Sequence, residues 1–356
     1  MPITTNTGNI KMSLFSLLLR VLLALTLLAC FAACSPLINR PGKQTAQPHL
    51  GRAHFVAADR AVLPVRAWLP KESKVKAAIV ALHGFDDYSN FFTEPGKYLS
   101  RQGIACYAYD QRGFGNAPGR GLWSGVEAYA NDLTAFTAAV RRHHPGIPVY
   151  VLGESMGGAV AIVAMTGNNP PDADGIILVA PAVWGRETMP WYQRWLLALT
   201  SHTVPWLRLT GKGLHILPSD NIEMLRGLGR DPLIIKATRI DAMHGLADLM
   251  DAALARAGKL QQSTLVLYGE RDQVVPKAPV FQMLASMPNA PQIRAAFYEH
   301  GYHLLLRDLQ AEKPWGDIAA WIADRTGPLP SGADKRVPVN QTEHSAGKPE
   351  NHVTGA

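Results

Sequence analysis

Four short runs, "AAIVALHG", "PVYVLGES", "GIILVAP" and "STLVLYGE", are almost continuously apolar and bounded by Gly, Pro or charge. A strand with water on one face alternates polar and apolar residues. These runs do not, so both of their faces need cover. Between several of them lie stretches of helical period. "VEAYANDLTAFTAAVRRHH" is one, with Val126, Tyr129, Leu133, Phe136 and Val140 on one face. Doubly buried strands alternating with helices predict an α/β fold, a mostly parallel twisted sheet flanked by helices. The earlier stretch "AHFVAADRAVLPVRAWLP" alternates instead, and predicts an antiparallel hairpin at a sheet edge.

One segment breaks the rhythm. Residues 184–258 hold no clear strand but several apolar, helix-prone stretches, "WYQRWLLALT" and "IDAMHGLADLMDAALARAG" among them. They are expected to form a helical cap insertion over the carboxyl ends of the strands. Trp191, Trp195, Leu196, Trp206 and Leu207 exceed what a short surface connection needs. Singly they suit packing inside the cap; together some are expected to line an apolar pocket. The core is then residues 52–183 and 259–328. Residues 34–51, polar with prolines and glycine, suit a tether, and residues 329–356, almost without large apolar side chains, suit a disordered tail.

The sequence "GESMG", residues 153–157, matches G-x-S-x-G and falls where a buried strand turns into a helix. A strained turn there would expose the Ser155 hydroxyl, with small residues at 153, 157 and 158 letting the backbone pass. An alcohol is a poor nucleophile at neutral pH, so a base and an orienting acid are needed. Asp272 follows the run "STLVLYG" just beyond a strand end. His300 and His303 both follow "IRAAFYE", and His303, further past the strand, is the preferred base. Acyl transfer also needs donors aimed at the developing oxyanion. The Met156 amide begins a helix, and the His83-Gly84-Phe85 turn can bring the Phe85 amide to the same point. His83 itself suits bracing that loop. Glu154 suits either a polar flank of the serine or recognition of substrate charge.

In this order "LHGFDDYSN", "YDQRGFGNAPG", "GESMGGA", "GERDQVVP" and "YEHGYH" resemble the motifs of the α/β-hydrolase superfamily. Within it the chain is similar to the monoacylglycerol lipase and lysophospholipase branch, related to serine aminopeptidases, over roughly residues 52 to 327. The resemblance implies an α/β-hydrolase fold with Ser155 as nucleophile, Asp272 as acid, His303 as base, and Phe85 and Met156 as oxyanion donors. Asp110 and Arg112 would brace a structural loop. It implies a serine hydrolase acting on a lipid or small ester, with no metal and no organic cofactor. An amidase, aminopeptidase or acyltransferase could use the same groups, and an inactive acyl-chain-binding lipoprotein is a further alternative. Many lipases of this branch have His where this chain has Glu154.

The amino end carries Lys11 and Arg20, then "VLLALTLLACFAAC". As a helix this run would span roughly 20 Å, short of the ~30 Å hydrocarbon core, so it reads as an export signal over residues 1–33. Its end resembles the lipobox of bacterial lipoproteins, with Cys34 as the acylated residue and Cys30 as the second candidate. The expectation is an exported lipoprotein, anchored to a membrane of the bacterial cell envelope through the acylated cysteine. Without Lys11 and Arg20 the net charge of +7 falls to +5, and no Lys/Arg run is interleaved with aromatics, which argues against nucleic-acid binding. Cys106 stands alone in the body, so neither a disulfide nor a cysteine zinc site is expected there, and its place in "IACYAYD" predicts burial.

Overall fold

The computed structural model describes residues 16–17, 19–21, 35–211, 213–288 and 291–336. The first half of the chain forms β1 (His49–Leu50), β2 (His54–Val56), β3 (Val62–Trp68), β4 (Ala77–Leu82), α1 (Thr93–Arg101), β5 (Ile104–Tyr109), α2 (Val126–His143), β6 (Val149–Glu154), α3 (Met156–Met165) and β7 (Gly175–Val179). Next come α4 (Trp191–Thr203), β8 (Arg208–Leu209), α5 (Ile222–Arg230), β9 (Thr238–Arg239) and α6 (Ile240–Arg256). The chain continues through β10 (Thr264–Gly269), α7 (Lys277–Ser286), β11 (Ile293–Tyr298) and α8 (Glu312–Ala323).

Nine strands make one sheet in the order β1-β2-β3-β5-β4-β6-β7-β10-β11. From β5 to β11 neighbours are parallel, while β1, β2 and β3 join as the antiparallel edge expected from their alternation. Strands β4, β5, β6, β7 and β10 are buried at every residue, as their uninterrupted apolar runs require. One face of the sheet packs against α2, α3, α6 and α7, and the other against α1 and α8. Helix α2 turns Tyr129, Leu133, Phe136 and Val140 inward, and Phe136 meets Phe55 edge-on at 5.1 Å. Cys106 is free and buried, and burial pushes its thiol pKa up.

Three boundaries differ from the sequence expectation. Helix α6 belongs to the core rather than to the cap. Ala242, Leu249, Met250 and Ala253 join the main core beside α3, and Gly245 lets Trp123 approach so closely that a Cβ would sit 2.3 Å from its ring. The cap between β7 and α6 is also not wholly helical, since β8 and β9 pair antiparallel. Residues 35–50 do not hang free as a tether. Ile38 forms a bridge to Trp123, the Thr45 and Ala46 amides donate to the Ala58 carbonyl, and β1 pairs with β2. At the other end Leu329 and Ala333 are buried, and the Ser331 amide donates to Asp317 at 2.9 Å, so residues 329–336 are folded onto the body. The rest of the tail, Cys30, Cys34 and most of the signal segment lie outside the described residues. Among the described residues no helix is long and apolar enough to cross a membrane.

Arg112 braces the loop after β5 as expected, and does so with buried charge. Its guanidinium bonds Asp132 at 2.6 Å and Asp59 at 2.7 Å, and all three side chains are at most 8% exposed. Arg112→Met would leave two buried carboxylates facing each other. Urea unfolding should register a loss of about 3–5 kcal/mol; a loss below about 1 kcal/mol would mean that the cluster is no brace.

Candidate active site

The parallel register aligns the carboxyl ends of β4 and β6, and those of β7 and β10, so the loops that follow them gather at one end of the sheet. Ser155 stands between β6 and α3 with φ 53° and ψ −116°, a left-handed backbone for a residue with a side chain. Two glycines make that turn possible. A Cβ at Gly153 would lie 2.3 Å from the Gly157 carbonyl oxygen, and one at Gly157 would lie 2.4 Å from that of Leu82.

His303 reaches this serine from the loop after β11. Its Nε2 lies 2.9 Å from Ser155 Oγ and its Nδ1 lies 2.7 Å from Asp272 Oδ2. The other Asp272 oxygen accepts the amides of Val274 and Val275 at 2.7 and 2.9 Å, which fixes the carboxylate, and its side chain is fully buried. With the Nδ1 proton directed at Asp272, Nε2 is the face that can accept the serine hydroxyl proton. Burial works against the His303 cation, but the charge and hydrogen bond of Asp272 outweigh it, and the pKa is raised above 6.5. His300 points elsewhere: it is exposed and bonds Arg271 at 2.8 Å.

The Phe85 loop lies against the nucleophile, since a Cβ built on Gly84 would be 3.3 Å from Ser155 Cβ. Met156 is the first residue of α3. Among the described residues neither the Phe85 nor the Met156 amide has an acceptor in the protein. His83 braces the loop. It accepts the Gln111 amide at Nε2 (2.9 Å), which leaves Nδ1 to donate to the Gly84 carbonyl (2.8 Å), and burial pushes its pKa down. Asp110 accepts the amides of Ser89 and Asn116 at 3.0 and 2.9 Å, the bracing role expected of it.

Sequence reasoning passed over Arg307 and Asp87. Arg307 Nη2 lies 2.7 Å from Asp87 and 3.4 Å from Glu154, so one guanidinium joins the Phe85 loop, the residue before Ser155 and the His303 loop. Glu154 is fully buried and faces Arg307, which removes it from substrate charge recognition. Burial raises its pKa against the pull of Arg307. "FDDYS" and "HLLLRD" hold the only sequence signal, charges set among apolar neighbours. Asp86 ties the same loop to the cap: its side chain accepts the Thr238 hydroxyl and its carbonyl accepts the Ile235 amide at 3.0 Å. Burial pushes the Asp86 carboxyl up to about 7.

The Trp and Leu residues expected to pack inside the cap or line its pocket do neither. Trp191, Trp195, Leu196, Trp206 and Leu207 are all exposed. Helix α4 fully buries only Ser201; Leu197 packs partly on the core, and among the described residues nothing covers Trp191, Trp195 and Leu199.

The family described as "Serine aminopeptidase, S33" matches residues 73–310. The monoglyceride lipase of Rattus norvegicus is 27% identical over 285 residues, 78% of this chain and 92% of that protein. The monoacylglycerol lipase of Mycolicibacterium smegmatis is 23% identical over 267 residues, 72% and 90% of the two chains. A soluble variant of the Saccharomyces cerevisiae monoglyceride lipase, solved with a substrate analog, superposes with a TM-score of 0.66 at 21% identity. That superposition covers 81% of this chain and 98% of the yeast protein, and establishes the α/β-hydrolase fold.

His303 can take a proton only when neutral. Its raised pKa therefore places the acid limb of activity above pH 6.5, with the rate rising through that limb and level beyond it. The pH dependence of fluorophosphonate labelling checks this; a midpoint below 6.5 would contradict the Asp272 pairing.

Proposed function

The chain belongs to the serine aminopeptidase S33 family, and we propose that it is a carboxylic ester hydrolase acting on monoacylglycerols or lysophospholipids from an anchored position on a membrane. The observation that carries the reading is the unbroken relay from Ser155 through His303 to Asp272, at 2.9 and 2.7 Å, beneath a cap. The names of the rat and mycobacterial relatives, monoglyceride lipase and monoacylglycerol lipase, support the monoacylglycerol part of the reading.

Ser155 Oγ attacks the ester carbonyl while His303 Nε2 takes its proton. The tetrahedral oxyanion rests on the Phe85 and Met156 amides, the second at a helix start where the dipole favours negative charge. His303 then gives its proton to the departing alcohol, and the acyl chain remains as an ester on Ser155. Water, deprotonated by the same imidazole, releases the carboxylate and restores the serine. Asp272 holds the imidazole in the required tautomer and stabilises its cation. Lipophilic substrates lie in membranes, which gives the lipobox-like "FAACSP" its purpose: acylation of Cys34 would hold this chain at the surface where such esters are found.

Two measurements test the reading. Ser155→Ala should lose fluorophosphonate labelling and at least about a thousandfold of ester turnover, while His300→Ala keeps most of it. Faster turnover of aminoacyl amides than of monoacylglycerols and lysophospholipids would replace the ester reading with the aminopeptidase one. On expression in a bacterium that processes lipoproteins, Cys34→Ala should move the protein from the detergent phase to the aqueous phase. If it stays, Cys34 is not the anchor.

A further inference from the structure

The Phe85 amide, the nucleophile and the base come from three separate stretches of chain, and one side chain reaches all three. Arg307 closes the single helical turn Leu305–Arg307 that follows His303. Its backbone is tied on both sides. The amide donates to the Leu304 carbonyl at 2.7 Å, and the carbonyl accepts the Asn221 side-chain amide at 3.1 Å. The guanidinium is 9% exposed and reaches Asp87 at 2.7 Å and Glu154 at 3.4 Å, both of them buried. A cavity of about 510 Å³, lined by Phe91, Met224, Leu306 and Trp315 among others, also reaches Arg307. Close packing therefore does not wedge the guanidinium on every side, and its two carboxylates set its place.

Asp87 closes the turn that carries Phe85. Its amide donates to the Gly84 carbonyl at 3.4 Å, with Phe85 and Asp86 at the corner. Asp86 stands at φ 62°, a left-handed backbone that a residue with a side chain enters at a cost. One Asp87 oxygen accepts the Tyr88 amide at 2.8 Å, and the other is the one that Arg307 holds. Glu154 ends β6, immediately before Ser155.

We infer that Arg307 is a positioning residue for ester hydrolysis: through Asp87 it holds the turn that aims the Phe85 amide, in register with Ser155 and His303. It touches no reacting atom. Stability alone does not call for a charge here, since apolar packing often serves a buried site as well as an ion cluster. Nor is the cluster fully bonded: among the described residues Arg307 Nε and Glu154 Oε2 have no partner. What it supplies is a fixed distance between an oxyanion donor and the base. Such donors act only if aimed before the charge develops, and a misplacement of about 1 Å can cost about a hundredfold. The neutral carbonyl of the bound ester asks less of them, so the loss falls on kcat rather than on KM. This role rests on the reading of Ser155 as nucleophile and Phe85 as oxyanion donor.

Arg307→Lys keeps the charge but ends one bond short of Nη2. On a water-soluble ester its kcat should fall at least about thirtyfold while KM stays within about threefold. A trifluoromethyl ketone adds to the serine as a charged tetrahedral adduct, and should lose affinity by about the factor lost in kcat/KM. Asp87→Asn should show the same split. The double variant should fall no more than about twofold below the worse single one, because both act through one contact. If Arg307→Lys does not fold, Asp87→Asn, which keeps the size of the side chain, carries the kcat and ketone measurements alone. A kcat within about threefold of wild type overturns the proposal. So does a loss confined to KM, a fall in kcat that leaves ketone affinity untouched, or losses that multiply in the double variant. Wild type that neither hydrolyses the ester nor binds the ketone defeats the hydrolase reading itself, and this role with it.

Discussion

The backbone of Ser155 is the constraint to which the rest of the molecule conforms. A residue with a side chain at φ 53° costs about 1–3 kcal/mol and persists only where its surroundings over-determine it. Here they do. The Ser155 amide donates to the Val179 carbonyl at 2.9 Å, and its carbonyl accepts the amides of Gly158 and Ala182, also at 2.9 Å. Strand β6 enters the turn buried at every residue and α3 leaves it buried at every residue. The turn cannot relax without pulling one of them out of the core. A hydroxyl presented this way needs no rearrangement to meet its base, which is why the large apolar core bears directly on the chemistry above it.

The site's other parts come from distant stretches of chain, and buried charge holds them together. Arg307 spans Asp87 and Glu154, and Arg112 spans Asp59 and Asp132. Replacing a buried ion pair with apolar packing is often neutral in stability, so such pairs are weak arguments for tightness. Their geometric effect is stronger. A planar guanidinium gripping two carboxylates fixes loop against loop to within a hydrogen bond. The segments that Arg307 joins carry the Phe85 amide, the nucleophile and the base, while Arg112 holds the loop after β5 to the β2–β3 turn and to α2. Among the described residues Glu154 Oε2 and Arg307 Nε find no partner, so the cluster is tied at two points and still has bonding capacity left.

How much of this was legible in the sequence depended on whether the signal was local. The doubly buried strands, the hairpin edge, the serine turn and the choice of His303 over His300 all rest on runs of six to ten residues, and local pattern carries them. Residues 35–50 and 329–336 have the composition of linkers, yet a few backbone bonds and two buried side chains, Leu329 and Ala333, suffice to fold them against the body. No periodicity announces that. Helix α6 lies within the strandless, helix-prone stretch 184–258, and by sequence alone groups with the cap. What places it in the core is the fit of Gly245 against Trp123, a contact between positions far apart in the chain. Arg307 was hidden for the same reason: an arginine in an apolar run acquires a role only when Asp87 and Glu154 are brought to it.

For the exposed cap residues, composition predicts that they are apolar but not which way they face. Apolar content alone predicts burial, and fully burying one large apolar side chain contributes about 1.5–3 kcal/mol. Ten such side chains between Trp191 and Ile216, 46% to 70% exposed, forgo an amount comparable with the net stability of a whole domain, about 5–15 kcal/mol. Among the described residues helix α4 packs on the core through Leu197, while its Trp191–Leu199 stripe is left exposed. That separates the molecule into two apolar systems with opposite demands. Below the cap, Asp272 and His303 are kept from water, while the outer side of α4 stands in it. Leu217 and Pro218 belong to both: they close the exposed segment and are hydrogen-bonded to the neighbours of Asp272 and His303.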